Sequence, residues 1–403
     1  MLAVPVPGLP APSQRFACVS AASALYAVSV HGFRTMWYES QDGSLVSMLG
    51  DVLAVAMCIP ASLYSPWISS SSWLAPYLSA LVSVYLARRL YRRLVVGNSF
   101  KAVRVDDKVY IITGSNTGLG YETAREIVRM GGRVVMACRT VDKAQAAREV
   151  LLAETRCRPE QLVVLHLDLN SFASVRQFVA DFRALKLPLH CLVNNAGLMM
   201  SERTETPDGL EMVFTANHLS AFLLTSLLLP LLQDGAKRQK CCSRIVNVSS
   251  SLHKIPRAFS FADVMSKQSY ELFATYAQSK LANILFTLEL QRRIDRSASA
   301  RGAVTANCLH PGFVRTEVTR HMHPLLRIGN DIATPIMLTL QKTPPQGAFC
   351  TLHVATAQEL EGRGGLYFAN CVETRASAGA TSEPDAARLW ELSDSITGAK
   401  WDV

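Results

Sequence analysis

Tyr276 and Lys280 stand four positions apart in the stretch Tyr276-Ala277-Gln278-Ser279-Lys280. On a helix that spacing puts two side chains one turn apart on the same face. A free phenol titrates near pH ~10, and an ammonium held close favours its ionised form. The expected consequence is a tyrosine whose pKa is lowered and whose hydroxyl gives or takes a proton near neutrality. So short a pair also arises by chance, so the segments around it must supply the rest of a site.

The elements that would position it begin at Lys108-Val109-Tyr110-Ile111-Ile112, an apolar run read as a buried strand. Thr113-Gly114-Ser115-Asn116-Thr117-Gly118-Leu119-Gly120 follows at once and leads into a helical run. Strand, glycine turn and helix are the opening of a nucleotide-binding βαβ unit, in which glycines let the backbone approach a pyrophosphate met by the amides of a helix N-terminus. The next strand, Arg133 to Cys138, ends on Arg139 where an acidic residue would bind an unphosphorylated ribose. An arginine there can pair with a 2′-phosphate, so NADP(H) is favoured over NAD(H). A third strand, Leu162 to Leu167, ends on Asp168, which either accepts from an adenine amino group or caps a helix starting near Ser171. A fourth, Leu189 to Val193, runs into Asn194-Asn195-Ala196-Gly197, a turn that would lie along the cofactor.

Asn217 precedes a strongly apolar helix running to Leu232, where an amide needs partners or serves as a cap, and His218 reads as a structural histidine. Arg244 to Ser251 is a fifth strand ending in three serines. Hydroxyls at the C-terminal end of a strand face the crevice where α/β sheets bind ligands, and one can hydrogen-bond a substrate carbonyl. The G-x-S-x-G of a serine hydrolase is absent. Val304 to Leu309 is a sixth strand, followed by the rigid turn His310-Pro311-Gly312-Phe313-Val314-Arg315-Thr316. Glu317 to Leu340 suits a lid over a substrate or an ordinary amphipathic helix, and His321 and His323 lack a third metal ligand. Gly364 to Phe368 reads as an edge strand and Asp385 to Ser395 as a short surface helix.

The 403 residues carry a net charge of +9, and residues 1–104 hold +5 of it, from eight Lys/Arg against three Asp/Glu. From Val52 to Ala87 there is no charge at all, and Arg88-Arg89-Leu90-Tyr91-Arg92-Arg93 comes directly after. A helix needs about 20 residues to cross a bilayer, so two helices near 50–67 and 70–87 are expected, with a weaker candidate from Phe16 to Gly32. A basic cluster behind an apolar run is a membrane flank rather than a nucleic-acid footprint, and it places the residues downstream on the cytosolic side. The mean hydropathy of +0.16 is high for a soluble enzyme and is concentrated in this region. The ten cysteines form no C-x-x-C pair; Cys138, Cys191 and Cys308 fall in the apolar strands and read as reduced core residues.

Thr113-Gly114-x-x-x-Gly118-x-Gly120, Asn194-Asn195-Ala196-Gly197, Ser250 at a strand end, Tyr276-x-x-x-Lys280 and Pro311-Gly312 together resemble the short-chain dehydrogenase/reductase family in residue type and order. The resemblance covers about residues 105–398. Ala277 to Asn283 and Glu359-Leu360-Glu361-Gly362 are similar to its retinol-dehydrogenase-like branch. It implies an α/β fold, a doubly wound Rossmann-type parallel sheet over residues 101–403, behind an N-terminal hydrophobic helical membrane segment over 1–100. It further implies that Ser250 orients the substrate oxygen, with Ser249 and Ser251 as alternatives, and that Tyr276 exchanges its proton. Lys280 would depress the tyrosine pKa and bind the nicotinamide ribose, and Asn217 would hold a water that passes protons to the lysine. Cofactor contacts would come from Gly114, Ser115, Asn116, Gly118, Leu119, Gly120, Arg139, Asp168, Asn195, Ala196, Gly197, Tyr276, Lys280, Pro311, Gly312 and Thr316. The implied reaction is NADP(H)-dependent interconversion of a lipophilic alcohol, retinoid or polyprenoid, with its carbonyl. Steroid or fatty-acyl carbonyl reduction and a nucleotide-binding scaffold without turnover are the alternatives. The expected setting is the endoplasmic reticulum membrane with the catalytic domain facing the cytosol, no nucleic acid, and a homodimer.

Overall fold

In a computed structural model, residues 100–312, 314 and 342–402 are described. The expected membrane helices, Thr316, the Glu317–Leu340 segment, His321 and His323 lie outside the described residues. The ordered elements are β1 (Val109–Thr113), α1 (Gly118–Arg129), β2 (Arg133–Cys138), α2 (Val141–Thr155), β3 (Leu162–His166), α3 (Phe172–Ala184) and β4 (Cys191–Asn194). They continue with α4 (Met212–Gln239), β5 (Ser243–Val248), α5 (Leu272–Arg296), β6 (Val304–His310), α6 (Pro344–Thr356), β7 (Tyr367–Ala369), β8 (Val372–Glu373) and α7 (Glu383–Thr397).

The strands form one sheet in the order β3-β2-β1-β4-β5-β6-β7-β8, parallel throughout except for the last pair. Alternate residues of β1 point to opposite faces, and both faces are covered. Tyr110 and Ile112 pack with Ile127 of α1, Leu151 of α2 and Leu352 of α6, while Val109 and Ile111 pack with Phe178 of α3, Leu228 of α4 and Leu290 of α5. This two-sided burial is why the strands read as continuous apolar runs rather than alternating ones. The chain winds outward from β1 to β3 and then returns to place β4 against β1's other edge. Strand order reverses there, and a crevice opens beyond the C-terminal ends of β1 and β4.

Four features differ from the expectations. β7, expected at the edge, is paired on both sides because the short β8 adds antiparallel beyond it. β5 stops at Val248, so Ser249 and Ser250 lie beyond the strand and Ser251–Lys254 form a short 3-10 turn. The helix containing Asn217 starts at Met212, capped by Glu211, so Asn217 sits inside a π turn at Thr215–Leu219 and not at a helix end. The last helix, α7, buries Leu389, Trp390 and Ser393, and the Trp390 ring lies 5.0 Å from Phe222 and 6.0 Å from Phe286, so it closes the core rather than lying on the surface. Among the described residues, α4 is long and apolar enough to cross a membrane, yet it is packed inside the protein as a core helix. Cys138, Cys191 and Cys308 are buried as expected.

Candidate active site

A cavity of about 500 Å³ occupies the crevice, lined by the β1–α1 turn, the ends of β2 and β3 and the loop after β4. The turn is held to that loop by the buried Thr113 hydroxyl, which accepts from the amides of Asn195 at 3.0 Å and Ala196 at 2.9 Å. Asn195 returns a hydrogen bond from Nδ2 to the Thr113 carbonyl at 2.8 Å. Glycine is required at 120 because a Cβ there would lie 2.4 Å from the Gly114 carbonyl oxygen. Gly118 and Leu119, the first residues of α1, line the cavity, and no acidic side chain occupies that first turn. The amides and dipole of the helix end therefore present uncompensated positive character to the cavity.

Of the expected cofactor contacts, Gly114, Asn116, Gly118, Leu119, Arg139, Asp168, Asn195, Ala196 and Gly197 line this cavity. Ser115 and Gly120 do not line it. The Ser115 hydroxyl is buried and donates to the Ile112 carbonyl at 3.0 Å, so both residues shape the turn from behind. Asp168 accepts from the Asn170 amide at 3.0 Å, whereas the cap of α3 is Ser171, so the capping role falls to the serine and Asp168 stays on the cavity wall. Sequence reading missed Thr140 and Lys143, which line the cavity beside Arg139 at the start of α2. A lysine four positions after the strand-end arginine was the available signal. The residues fit a dinucleotide: a glycine turn, a helix N-terminus without an acidic side chain, a carboxylate, and two cations.

Beyond Gly197 the four residues Asn217, Ser250, Tyr276 and Lys280 come together. The Asn217 amide is held on both sides, accepting from the Leu198 amide at 2.8 Å and donating to the Leu198 carbonyl and to Ser279 Oγ, both at 3.0 Å. Lys280 is buried, its ammonium donates to the Val248 carbonyl at 3.0 Å, and it stands 5.6 Å from the centre of the Tyr276 ring. Ser250 hydrogen-bonds the Tyr276 phenol, and its Oγ accepts from the Leu252 amide at 3.2 Å. Ser249 is engaged elsewhere, donating to the Lys280 carbonyl at 2.7 Å, which separates Ser250 from its neighbour. Pro311 and Gly312 follow β6 outside the cavity lining, with the Gly312 amide donating to His310 Nδ1 at 3.1 Å.

The expected lowering of the tyrosine pKa is not what this geometry produces. Burial pushes Tyr276 up to about 12, opposed by the Ser250 hydrogen bond, and burial pulls Lys280 down to about 8. Both shifts have one cause, the cost of holding a charge away from water, and here it exceeds the attraction across the pair. His218 is structural as expected: its Nε2 lies 2.8 Å from Ser393 Oγ, and burial lowers it to about 3.

Tyr276 shares an apolar cluster with buried Met199 and Val213 and with half-buried Leu198, Met200, Leu252 and Leu272. Leu198 and Met200 belong both to this cluster and to the cavity lining, so the apolar cluster that holds the Tyr276 ring borders the crevice.

The short chain dehydrogenase family profile matches residues 108–324. Retinol dehydrogenase 12 of Mus musculus is 39% identical over 325 residues, covering 80% of this chain and 97% of that one. This chain belongs to the short chain dehydrogenase family, in its retinol-dehydrogenase-like branch. Polyprenol dehydrogenase of Homo sapiens is 38% identical over 292 residues, 72% of this chain and 86% of that protein. An uncharacterized protein from Mycobacterium Paratuberculosis has a similar crystal structure, with a TM-score of 0.58 and 30% identity over 75% of this chain and 98% of its own. The described sheet is therefore the mostly parallel, Rossmann-like sheet of an oxidoreductase family, with its crevice where such sheets bind ligands.

Proposed function

We propose that this protein is a membrane-anchored, NADP(H)-dependent oxidoreductase that interconverts a lipophilic alcohol, retinoid, polyprenoid or similar, with its aldehyde or ketone. The observation that carries this reading is that Tyr276, bonded to Ser250, packs in an apolar cluster with Met199, Val213, Leu252 and Leu272 whose members Leu198 and Met200 also line the nucleotide crevice. An apolar wall beside the reacting hydroxyl favours a hydrocarbon-bearing substrate over a sugar or a hydroxy acid. Relatives named retinol and polyprenol dehydrogenases support the same class.

NADP(H), when bound, supplies or accepts the hydride. Arg139 and Lys143 would hold its 2′-phosphate, Asp168 the adenine amino group, and the amides of the Gly114–Leu119 turn the pyrophosphate. Gly197, Pro311 and Gly312 would border the nicotinamide end. Ser250 hydrogen-bonds the substrate oxygen and stabilises the charge that develops on it. Tyr276 gives its hydroxyl proton to that oxygen during reduction and takes it back during oxidation. Lys280 binds the ribose and stabilises the ionised tyrosine, while Asn217, anchored by Leu198 and Ser279, holds the water that reprotonates the lysine.

The uncharged run of Val52 to Ala87 and the arginines behind it support a membrane anchor with the catalytic unit on the cytosolic side; the endoplasmic reticulum and a homodimer are what the likeness to the family suggests. A bilayer-dissolved substrate would then be delivered to a tethered site. The test is NADPH fluorescence decay with the full chain in detergent and a panel of retinal, a polyprenal, a steroid ketone and a short-chain aldehyde. Preferred turnover of one lipid aldehyde is expected. Retained NADPH binding with no turnover in either direction, with either cofactor, would leave only a nucleotide-binding scaffold.

A further inference from the structure

His253 is fully buried directly behind Ser250, in the 3-10 turn after β5. Its two ring nitrogens face opposite demands. Nδ1 lies 2.7 Å from the Ser250 carbonyl oxygen, which only accepts, and Nε2 receives the Ser377 amide at 3.3 Å, which only donates. One tautomer satisfies both: a neutral imidazole with its proton on Nδ1. The Tyr367 hydroxyl, 3.3 Å from Nδ1, can accept from the same N–H, and its ring packs edge-on against the imidazole at 5.2 Å. Burial, aided by the neighbouring Lys254 charge, lowers His253 to about 4 and keeps the ring neutral, although the Ser250 hydrogen bond opposes this. Two further titratable rings lie nearby, His310, itself lowered to about 3 by burial, and Tyr367, whose phenol burial holds well above its ordinary value.

The Ser250 carbonyl thus takes two hydrogen bonds, from the ring and from the His253 amide at 3.1 Å. Ser250 is the joint between β5 and the turn, with extended backbone at φ −145 and ψ 155. The direction of its hydroxyl is set by that main chain, and two donors on one carbonyl leave it little freedom to rotate. The far end of the ring is fixed as well. Ser377 belongs to the segment after β8, where a Cβ at Gly379 would stand 2.3 Å from the Arg257 carbonyl, so this segment is wedged against the stretch just past the turn.

We propose that His253 is a positioning residue for Ser250, its Nδ1–H clamping the serine carbonyl so that the hydroxyl is presented to Tyr276 and the substrate oxygen. This rests on the reading of Ser250 as the residue that orients that oxygen. The test uses full-length protein in detergent, NADPH, and the best carbonyl of the panel above. His253→Asn keeps an amide N–H where Nδ1 stands, whereas His253→Gln places its amide where Nε2 stands and loses the donor to Ser250.

The expected result is a kcat reduced about 10- to 100-fold in His253→Gln, with most of kcat recovered in His253→Asn and the KM for NADPH unchanged in both. Equal kcat in the two variants, or losses that simply follow their melting temperatures, would overturn the assignment. Ser250→Ala run alongside separates the two levels of inference. If it stays active, the role given to Ser250 fails; if it is inactive while both His253 variants turn over normally, only the positioning role fails. Ring-nitrogen and carbon NMR shifts of histidine-labelled wild-type protein decide the matter even where a variant does not fold. A neutral Nδ1–H ring at pH ~7 supports the clamp, and an Nε2–H ring or an imidazolium refutes it.

Discussion

Lys280 Nζ lies 3.1 Å from where a Cβ on residue 197 would stand, so glycine at 197 is what leaves the ammonium its place beside the crevice. A methyl group there must push a buried amine by a few tenths of an ångström, while Asn217 Oδ1 at 3.4 Å limits relaxation on the other side. Gly197→Ala is expected to lower kcat on the order of tenfold while costing at most about 1 kcal/mol of stability. Steady-state kinetics beside a melting curve checks this, and an unchanged kcat would show that the lysine has room to spare.

Tyr276→Phe removes the proton donor and leaves the ring in its apolar cluster with Met199 and Val213. The loss expected in kcat is about 10²- to 10⁴-fold, with NADPH binding and the melting temperature unchanged. Tryptophan-to-NADPH energy transfer would report binding. A variant that stays active would move the proton transfer to another group.

Arg139 and Lys143 both line the cavity, and Arg139, not a carboxylate, stands directly after β2, while Asp142 is not among the lining residues. A hydrogen bond to a charged group contributes about 1.5–3 kcal/mol, which corresponds to roughly 10- to 100-fold in affinity. Arg139→Ala is therefore expected to reduce the preference for NADPH over NADH by about that factor, with a smaller change in Lys143→Ala. Equal kcat/KM ratios for the two cofactors before and after substitution would argue against a 2′-phosphate site.

Burial holds His190, His218 and His310 down to about 3 and His253 to about 4, below their ordinary value of 6.5. The folded state therefore binds fewer protons than the unfolded chain between those values. The stability these neutral rings contribute is fully present above pH 6.5 and is lost as pH falls toward 4 and 3. Each ring adds a slope of up to about 1.4 kcal/mol per pH unit. Urea midpoints measured from pH ~7 down to ~5 should fall steeply. A flat profile would mean that the rings are wet or already charged.

Much of the architecture was legible because it depends on short-range pattern. Apolar runs of five or six residues separated by turn residues locate β1 to β6, since a strand buried on both faces has no polar side to show. The glycines of the first turn and the four-residue spacing of Tyr276 and Lys280 are likewise local, because backbone approach and helical stacking are decided within one turn of chain. Those features alone indicated an α/β nucleotide-binding enzyme with a tyrosine at its centre.

What the tertiary structure decided depends on which distant segments meet. Ser250 differs from Ser249 because the Lys280 carbonyl takes the hydroxyl of one and the Tyr276 phenol meets the other. Asn217 is set by a π turn and by Leu198 and Ser279, partners that spacing does not reveal. Lys143 joins Arg139 only because α2 begins at the cavity edge. α4 has the composition of a membrane span and becomes a core helix because the sheet and its neighbours cover it. The same reason reverses the expected tyrosine pKa: the spacing of a charge pair is written in the sequence, but the desolvation that outweighs it is set by everything packed around the pair.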